Sequence, residues 1–112
     1  MSQITTHILD TSLGKPAQGV LIRLEQQTPQ GWQPLAQGTT DNDGRIKNLL
    51  PTNEPVARGI YRMVFDTASY FSKQNLRTFY PSVSIDFEVF DETHYHVPLL
   101  LNPYGYSTYR GS

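Results

Sequence analysis

The three histidines of the chain are the side chains best suited to proton transfer near neutral pH. His7 lies near the N-terminus, and His94 and His96 flank a single tyrosine. Residues two apart on a strand share a face, so His94 and His96 would form a small imidazole cluster. Such a cluster can act as acid and base, can bind a metal, or can be an ordinary hydrogen-bonded pair at the start of a strand.

A metal site is the first alternative to consider. The strand pair supplies only two zinc ligands, His7 would have to be the third, and the chain has no cysteine. The segment 41–44, Asp-Asn-Asp-Gly, resembles the start of a calcium loop, but the twelfth residue from Asp41, where an EF-hand needs Glu, is Thr52. We therefore predict a tight turn at 41–44 and no metal ion at either place.

Two other features carry chemistry. The turn delivers Arg45 to the next segment, where its guanidinium matters for catalysis only if it faces a histidine. The last nine residues, 104–112, hold three tyrosines, an arginine and the terminal carboxylate. Chain ends are usually frayed and polar, so we expect this end to be ordered and buried.

Alternation of apolar and polar residues predicts the strands that must position these groups. We expect strands at residues 4–9, 18–27, 32–39, 60–66, 83–90, 95–102 and 104–109, and a short helix at 69–75 with Ser69 as its N-cap. Turns rich in Gly, Pro, Asn and Asp separate them, which is typical of a small all-β sandwich. Pro98 lies inside an apolar run, so its strand is expected at a sheet edge or with a local interruption.

Length and charge restrict the remaining possibilities. The 112 residues predict one domain spanning 1–112. Nine Lys and Arg against ten Asp and Glu give a net charge of −1, which argues against a nucleic-acid partner. No apolar run approaches the ~20 residues of a membrane helix, and the N-terminus has no signal-peptide pattern. The sequence predicts a soluble, cytoplasmic protein. A mature periplasmic form whose signal peptide had been removed would have the same sequence features.

Four blocks of sequence carry the most specific signal. They are T-H-I-L-D with G-K-P-A in 6–17, T-D-N-D-G-R in 40–45, H-Y-H-V-P-L-L in 94–100, and Y-G-Y-S-T-Y-R-G-S in 104–112. Across essentially the whole chain they resemble the transthyretin-like family, and its 5-hydroxyisourate hydrolase branch in particular. The closing Tyr-Arg-Gly-Ser together with His7 and His96 is the specific part, because hormone-carrying transthyretins are not expected to keep that set.

The resemblance implies a fold and a reaction. The fold is a β-sandwich of two four-stranded antiparallel sheets with one short helix. It would assemble as a homotetramer, a dimer of dimers, with active sites in a channel between subunits. The reaction is hydrolysis of the cyclic amide of 5-hydroxyisourate to 2-oxo-4-hydroxy-4-carboxy-5-ureidoimidazoline in urate degradation, without a metal or organic cofactor.

The resemblance also implies the site residues. His7 and His96 share the site, Arg45 binds the polar edge of the substrate, and Tyr109 and Ser112 contact substrate or water. Amide hydrolysis needs an activated water, a stabilised oxyanion and a proton for the leaving nitrogen. We favour His7 as the base and His96 as its partner or the proton donor, and the sequence leaves that order open. Two histidines near one guanidinium should both have lowered pKa values.

Two other classes of function remain open at this point. A non-catalytic carrier of small apolar ligands could use the same tetrameric channel, but it would not need His7, Arg45 and His96 together. A structural or adhesive sandwich would explain the strands and leave the tyrosine-rich end unexplained. Because a buried polar constellation is destabilising unless it is used, the sequence favours the enzyme.

Overall fold

The computed structural model describes residues 2–50 and 54–112. Within those residues the chain forms eight strands and one helix. In chain order they are β1 (Ile4–Asp10), β2 (Lys15–Pro16), β3 (Leu21–Thr28), β4 (Gly31–Thr39), β5 (Gly59–Phe65), α1 (Thr67–Ser72), β6 (Val83–Val89), β7 (Tyr95–Asn102) and β8 (Gly105–Thr108).

The strands form two four-stranded sheets, with the orders β2-β1-β7-β8 and β4-β3-β5-β6. The two sheets and the short helix confirm the predicted sandwich. One pairing differs from the antiparallel expectation, because β1 and β7 run parallel, with Thr5 opposite His96 and His7 opposite Pro98. No hairpin joins these two strands, so chain connectivity does not force them to be antiparallel. The first sheet is therefore mixed.

The core lies between the inner faces of the two sheets. On β1 the side chains alternate between buried and half-buried, and Ile4 and Ile8 are completely buried. Each such side chain contributes roughly 1.5–3 kcal/mol to the free energy of unfolding. Because successive side chains of a strand point to opposite faces, burial of Ile4 and Ile8 places Thr5 and His7 together on the outer face of the sheet.

The helix begins earlier than predicted, and its N-cap is Asp66 rather than Ser69. The Asp66 carboxylate accepts hydrogen bonds from the backbone N–H of Ser69 at 3.1 Å and from its hydroxyl at 2.8 Å. Asp and Ser are comparable caps, and the choice follows from β5 ending at Phe65. Among the described residues no helix is long and apolar enough to cross a membrane.

Pro98 lies on an interior strand, because β7 is paired with β1 on one side and β8 on the other. Of the two predicted alternatives, an edge position or a local interruption, the structure shows the interruption. Pairing of β7 with β8 reaches Leu99 opposite Thr108, stops, and returns as a single bridge between His96 and Gly111. The gap falls at Pro98, which has no N–H to donate. Its carbonyl accepts the Thr108 hydroxyl at 2.7 Å.

The tyrosine-rich end is not buried within one chain, contrary to the sequence prediction. Tyr104 is 70% exposed and Tyr109 is 59% exposed. Composition indicates that a segment has apolar surface to bury, but it does not indicate whether the same chain or another copy buries it. The end is nonetheless attached to the sheet, since the Gly111 N–H donates to the His96 carbonyl at 2.9 Å.

Candidate active site

His96 lies half-buried on the outer face of β7, directly across from Thr5 on β1. The Thr5 hydroxyl oxygen is 2.7 Å from His96 Nδ1 and also 2.7 Å from Nε2 of His94, whose side chain is exposed. The two imidazole rings are 6.1 Å apart between centroids. The Thr5 hydroxyl therefore links the two histidines through hydrogen bonds.

The segment 41–44 forms the predicted tight turn. Asp41 Oδ1 accepts the backbone N–H of Asp43 at 2.9 Å and that of Arg45 at 3.1 Å. These bonds commit the Asp41 oxygen to its own turn, as in an Asx turn. The turn then packs against β1 through the backbone. The Ile8 N–H donates to the Gly44 carbonyl at 2.9 Å, and the backbones of Arg45 and His7 form an isolated antiparallel β-bridge.

Gly44 is required at this docking point for two reasons. Its φ of 73° lies in the left-handed region that side chains disfavour. A Cβ there would also fall inside contact distance of the Ile8 carbonyl oxygen and 3.2 Å from the Pro16 Cβ. The absence of a side chain lets the turn approach β1 closely enough to hold Arg45 beside His7.

The C-terminal residues close the other side of His96. A Cβ on Gly111 would lie 2.5 Å from His96 Cδ2 and 3.1 Å from Pro98 Cγ, so only glycine fits against the ring. Arg110 is anchored next to it, with its guanidinium carbon 4.3 Å from the Tyr95 ring centroid. This packing directs Ser112 toward the same space as His96 and Arg45.

These elements surround a cavity of about 540 Å³. Its lining includes Thr5, Arg45, Lys47, His94, His96 and Ser112. The structure thus brings Arg45, His96 and Ser112 together as the sequence predicted. His7 is not among the residues that line the cavity, and its backbone forms a β-bridge with that of Arg45. Tyr109 lines a separate groove of about 230 Å³ that it shares with His96 and Arg110.

Both site histidines have a pKa below the ordinary value. Burial is the larger cause of the lowered pKa of His7, and the Arg45 charge adds to it while Asp43 opposes it. Burial is also the largest cause of the lowered pKa of His96, and the charges of Arg45, His94 and His7 lower it further. The direction agrees with the sequence prediction, but burial outweighs the guanidinium. Both imidazoles are neutral near pH 7, the form that can accept a proton from water.

Sequence reasoning did not find Thr5 and left His94 without a role. A signal for Thr5 was present, because it precedes His7 by two positions on a strand and so shares its face. Its contact with His96 spans 91 residues and depends on the β1–β7 register.

As to metals, residues 2–50 and 54–112 contain no group of three His, Asp or Glu side chains placed to hold an ion.

A sequence model described as the HIUase/Transthyretin family matches residues 4–111. The chain belongs to this family. Fold alone does not separate the hydrolases from the hormone carriers within the HIUase/Transthyretin family. The sea bream transthyretin crystal structure in complex with thyroxine superposes with a TM-score of 0.90 at 34% identity, covering 98% of this chain and 95% of that one. The Klebsiella pneumoniae 5-hydroxyisourate hydrolase superposes with a TM-score of 0.84 at 35% identity, covering 97% and 92%.

The identities to these two solved structures, 34% and 35%, do not by themselves distinguish a transthyretin from a hydrolase. The 5-hydroxyisourate hydrolase of Salmonella typhimurium is 51% identical over 110 residues, covering 97% of this chain and 80% of that protein. Similarity at this higher identity, over nearly the whole chain, is therefore to a hydrolase.

Proposed function

We propose that this chain, as one domain spanning 1–112, is a 5-hydroxyisourate hydrolase. It opens the cyclic amide of 5-hydroxyisourate to 2-oxo-4-hydroxy-4-carboxy-5-ureidoimidazoline in urate degradation. The observation that carries the proposal is the placement of Arg45 against His7 and beside His96, with both histidines at lowered pKa. An apolar ligand carrier has no use for two neutral imidazoles around one guanidinium.

The mechanism uses the two histidines for proton transfer and Arg45 for charge. A neutral imidazole takes a proton from water as the water oxygen bonds to the amide carbon. Arg45 presents fixed donors to the substrate oxygens and stabilises the negative charge that develops on the carbonyl oxygen. The ring carbon–nitrogen bond then breaks, and the leaving nitrogen takes a proton from the protonated histidine. Ser112 contacts substrate or water at the edge of the site, and Tyr109 lines the neighbouring groove on the other side of His96.

The assembly we propose is a homotetramer, a dimer of dimers, with the sites in a channel between subunits. Exposed aromatic side chains support it: Phe79 is 69% exposed, Phe90 52% and Tyr104 70% in one chain. Large apolar exposure on a small domain marks a surface that another protein covers. Arg45 is also exposed in one chain, so a neighbouring subunit would exclude water from the site.

The direct test follows the ultraviolet absorbance of freshly prepared 5-hydroxyisourate with and without the protein. We expect the protein to accelerate the decay in proportion to its concentration. Binding of thyroxine is measured in parallel by calorimetry. Saturable thyroxine binding with no acceleration of the decay would contradict the hydrolase and favour the carrier.

Activity is expected to survive removal of metal ions. Two strand histidines joined to a threonine lack the three or four ligands that a zinc site needs. The measurement is turnover after dialysis against a strong chelator, with metal content determined by mass spectrometry. Stoichiometric zinc, with activity lost on its removal and restored on its return, would contradict the proposed independence from cofactors.

The rate is expected to fall on the acid side with a midpoint below 6.5, the ordinary histidine value. Because the neutral imidazole is the working form and its pKa is lowered, activity is full near neutral pH and is lost as the pH falls through the lowered pKa. Substituting Arg45→Gln removes a nearby positive charge, which should raise the pKa of His7 and His96. NMR titration of both imidazoles in the two proteins checks this, and an unchanged or lower pKa in the variant would contradict it.

A further inference from the structure

The contact of one hydroxyl with two imidazoles restricts where the protons can be. The Thr5 hydroxyl has a single proton, so it donates to one of His94 Nε2 and His96 Nδ1 and accepts from the other. In one arrangement His96 donates from Nδ1 and its Nε2 is a free base. In the other, His94 donates from Nε2, Thr5 donates to His96, and His96 carries its proton on Nε2.

We propose that Thr5 and His94 form a proton relay that acts through His96 in the hydrolysis. Thr5 and His94 are positioning residues, and His96 is the group that meets the substrate. This inference rests on the proposed function.

The transfer balances proton by proton. His96 begins with its proton on Nδ1 and takes a second proton from the attacking water at Nε2. The Nδ1 proton then passes to Thr5 Oγ1 while the Thr5 proton passes to His94 Nε2. His96 is left neutral with its proton on Nε2, and the positive charge is on His94. When the leaving nitrogen takes the Nε2 proton, His94 returns its proton to Thr5 while the Thr5 proton passes back to His96 Nδ1, which restores the starting state.

The surroundings of the two rings favour movement of charge in this direction. His96 is half-buried and lies near Arg45 and His7, so a positive charge there is opposed by burial and by like charges. The His94 side chain is more exposed than that of His96, so a positive charge on His94 loses less solvation than one on His96. The relay therefore moves a proton through one hydroxyl from the more buried ring to the less buried one.

The test removes the hydroxyl and then restores it. Thr5→Val keeps the shape of the side chain, and we expect kcat for 5-hydroxyisourate to fall roughly 10- to 100-fold with little change in KM, as for loss of a hydrogen bond to an ionised group. Thr5→Ser should recover most of that loss. Substituting His94→Gln should lower kcat as well, because an amide cannot take up the proton. Thr28→Val, on β3 in the other sheet and not among the residues that line the cavity, is the control and should turn over like the unmodified protein.

Nitrogen NMR of the imidazoles gives a second readout that does not depend on turnover. In the unmodified protein, His94 Nε2 and His96 Nδ1 should both have the nitrogen shifts of hydrogen-bonded ring nitrogens, and Thr5→Val should change both together. Wild-type kcat in Thr5→Val, or a loss that Thr5→Ser does not recover, would overturn the relay, as would nitrogen shifts that do not change when the hydroxyl is removed. If Thr5→Val fails to fold, Thr5→Ser and His94→Gln still decide the question. Absence of turnover in the unmodified protein contradicts the proposed function instead, and the nitrogen shifts still test the contact.

Discussion

Replacing either His7 or His96 with asparagine is expected to lower turnover of 5-hydroxyisourate by roughly 10²–10⁴-fold, the usual effect of removing a positioned acid or base. Both side chains lie on the outer face of their sheet, so the substitutions leave the core unchanged. Asparagine keeps a polar group of similar reach but cannot take a proton from water. The substitutions should therefore lower kcat and leave the fold unchanged.

The measurement is steady-state turnover of both variants, with circular dichroism and sizing chromatography to confirm the fold and assembly. The two variants also separate the roles that the sequence left open. His96 lines the cavity and His7 does not, so we expect the larger loss in His96→Asn. Near-wild-type turnover in both variants would show that the histidine mechanism is wrong.

Deleting residues 109–112 is expected to remove most activity while the sandwich stays folded. The deletion removes Ser112 from the cavity lining, Gly111 from the His96 ring, and the hydrogen bond from Gly111 N–H to the His96 carbonyl. The eight strands of the described residues lie upstream of Tyr109, so little core packing is lost. Turnover, circular dichroism and sizing chromatography are measured together.

A single substitution tests the same contact more gently. Gly111→Ala places a Cβ 2.5 Å from His96 Cδ2, so the ring or the tail must move and activity should fall. Gly105→Ala is the matched control, because its Cβ would meet only the Asn102 side chain at 3.7 Å.

For the deletion of residues 109–112, wild-type turnover would show that the tail is not needed for activity. Unfolding or dissociation to monomers would instead make it a structural interface element.

The strands could be predicted because alternation is a local property of the sequence. Burial of Ile4 and Ile8 places His7 on the opposite face of β1 without reference to the rest of the chain. The helix N-cap shows the limit of local reasoning. Asp66 and Ser69 are both good caps, and the choice depended on where β5 ends.

The site could be predicted only in part, because its contacts join distant segments. The resemblance placed Arg45, His96 and Ser112 together, and they share one cavity. The Thr5 contact with His94 and His96 follows from a parallel register between strands at opposite ends of the chain. Nothing in the local pattern sets that register, so the role of Thr5 required the structure.

The measurement that tests the central claim most directly is the fate of a water oxygen during turnover. The reaction is run in water labelled with heavy oxygen and sampled early, while the uncatalysed decay of 5-hydroxyisourate is small, and the product is examined by mass spectrometry. Hydrolysis of the cyclic amide predicts ring-opened product carrying one labelled oxygen in its new carboxylate, formed faster with the protein than without it. Ring-opened product without the label, or labelled product formed no faster than in buffer alone, would contradict the account.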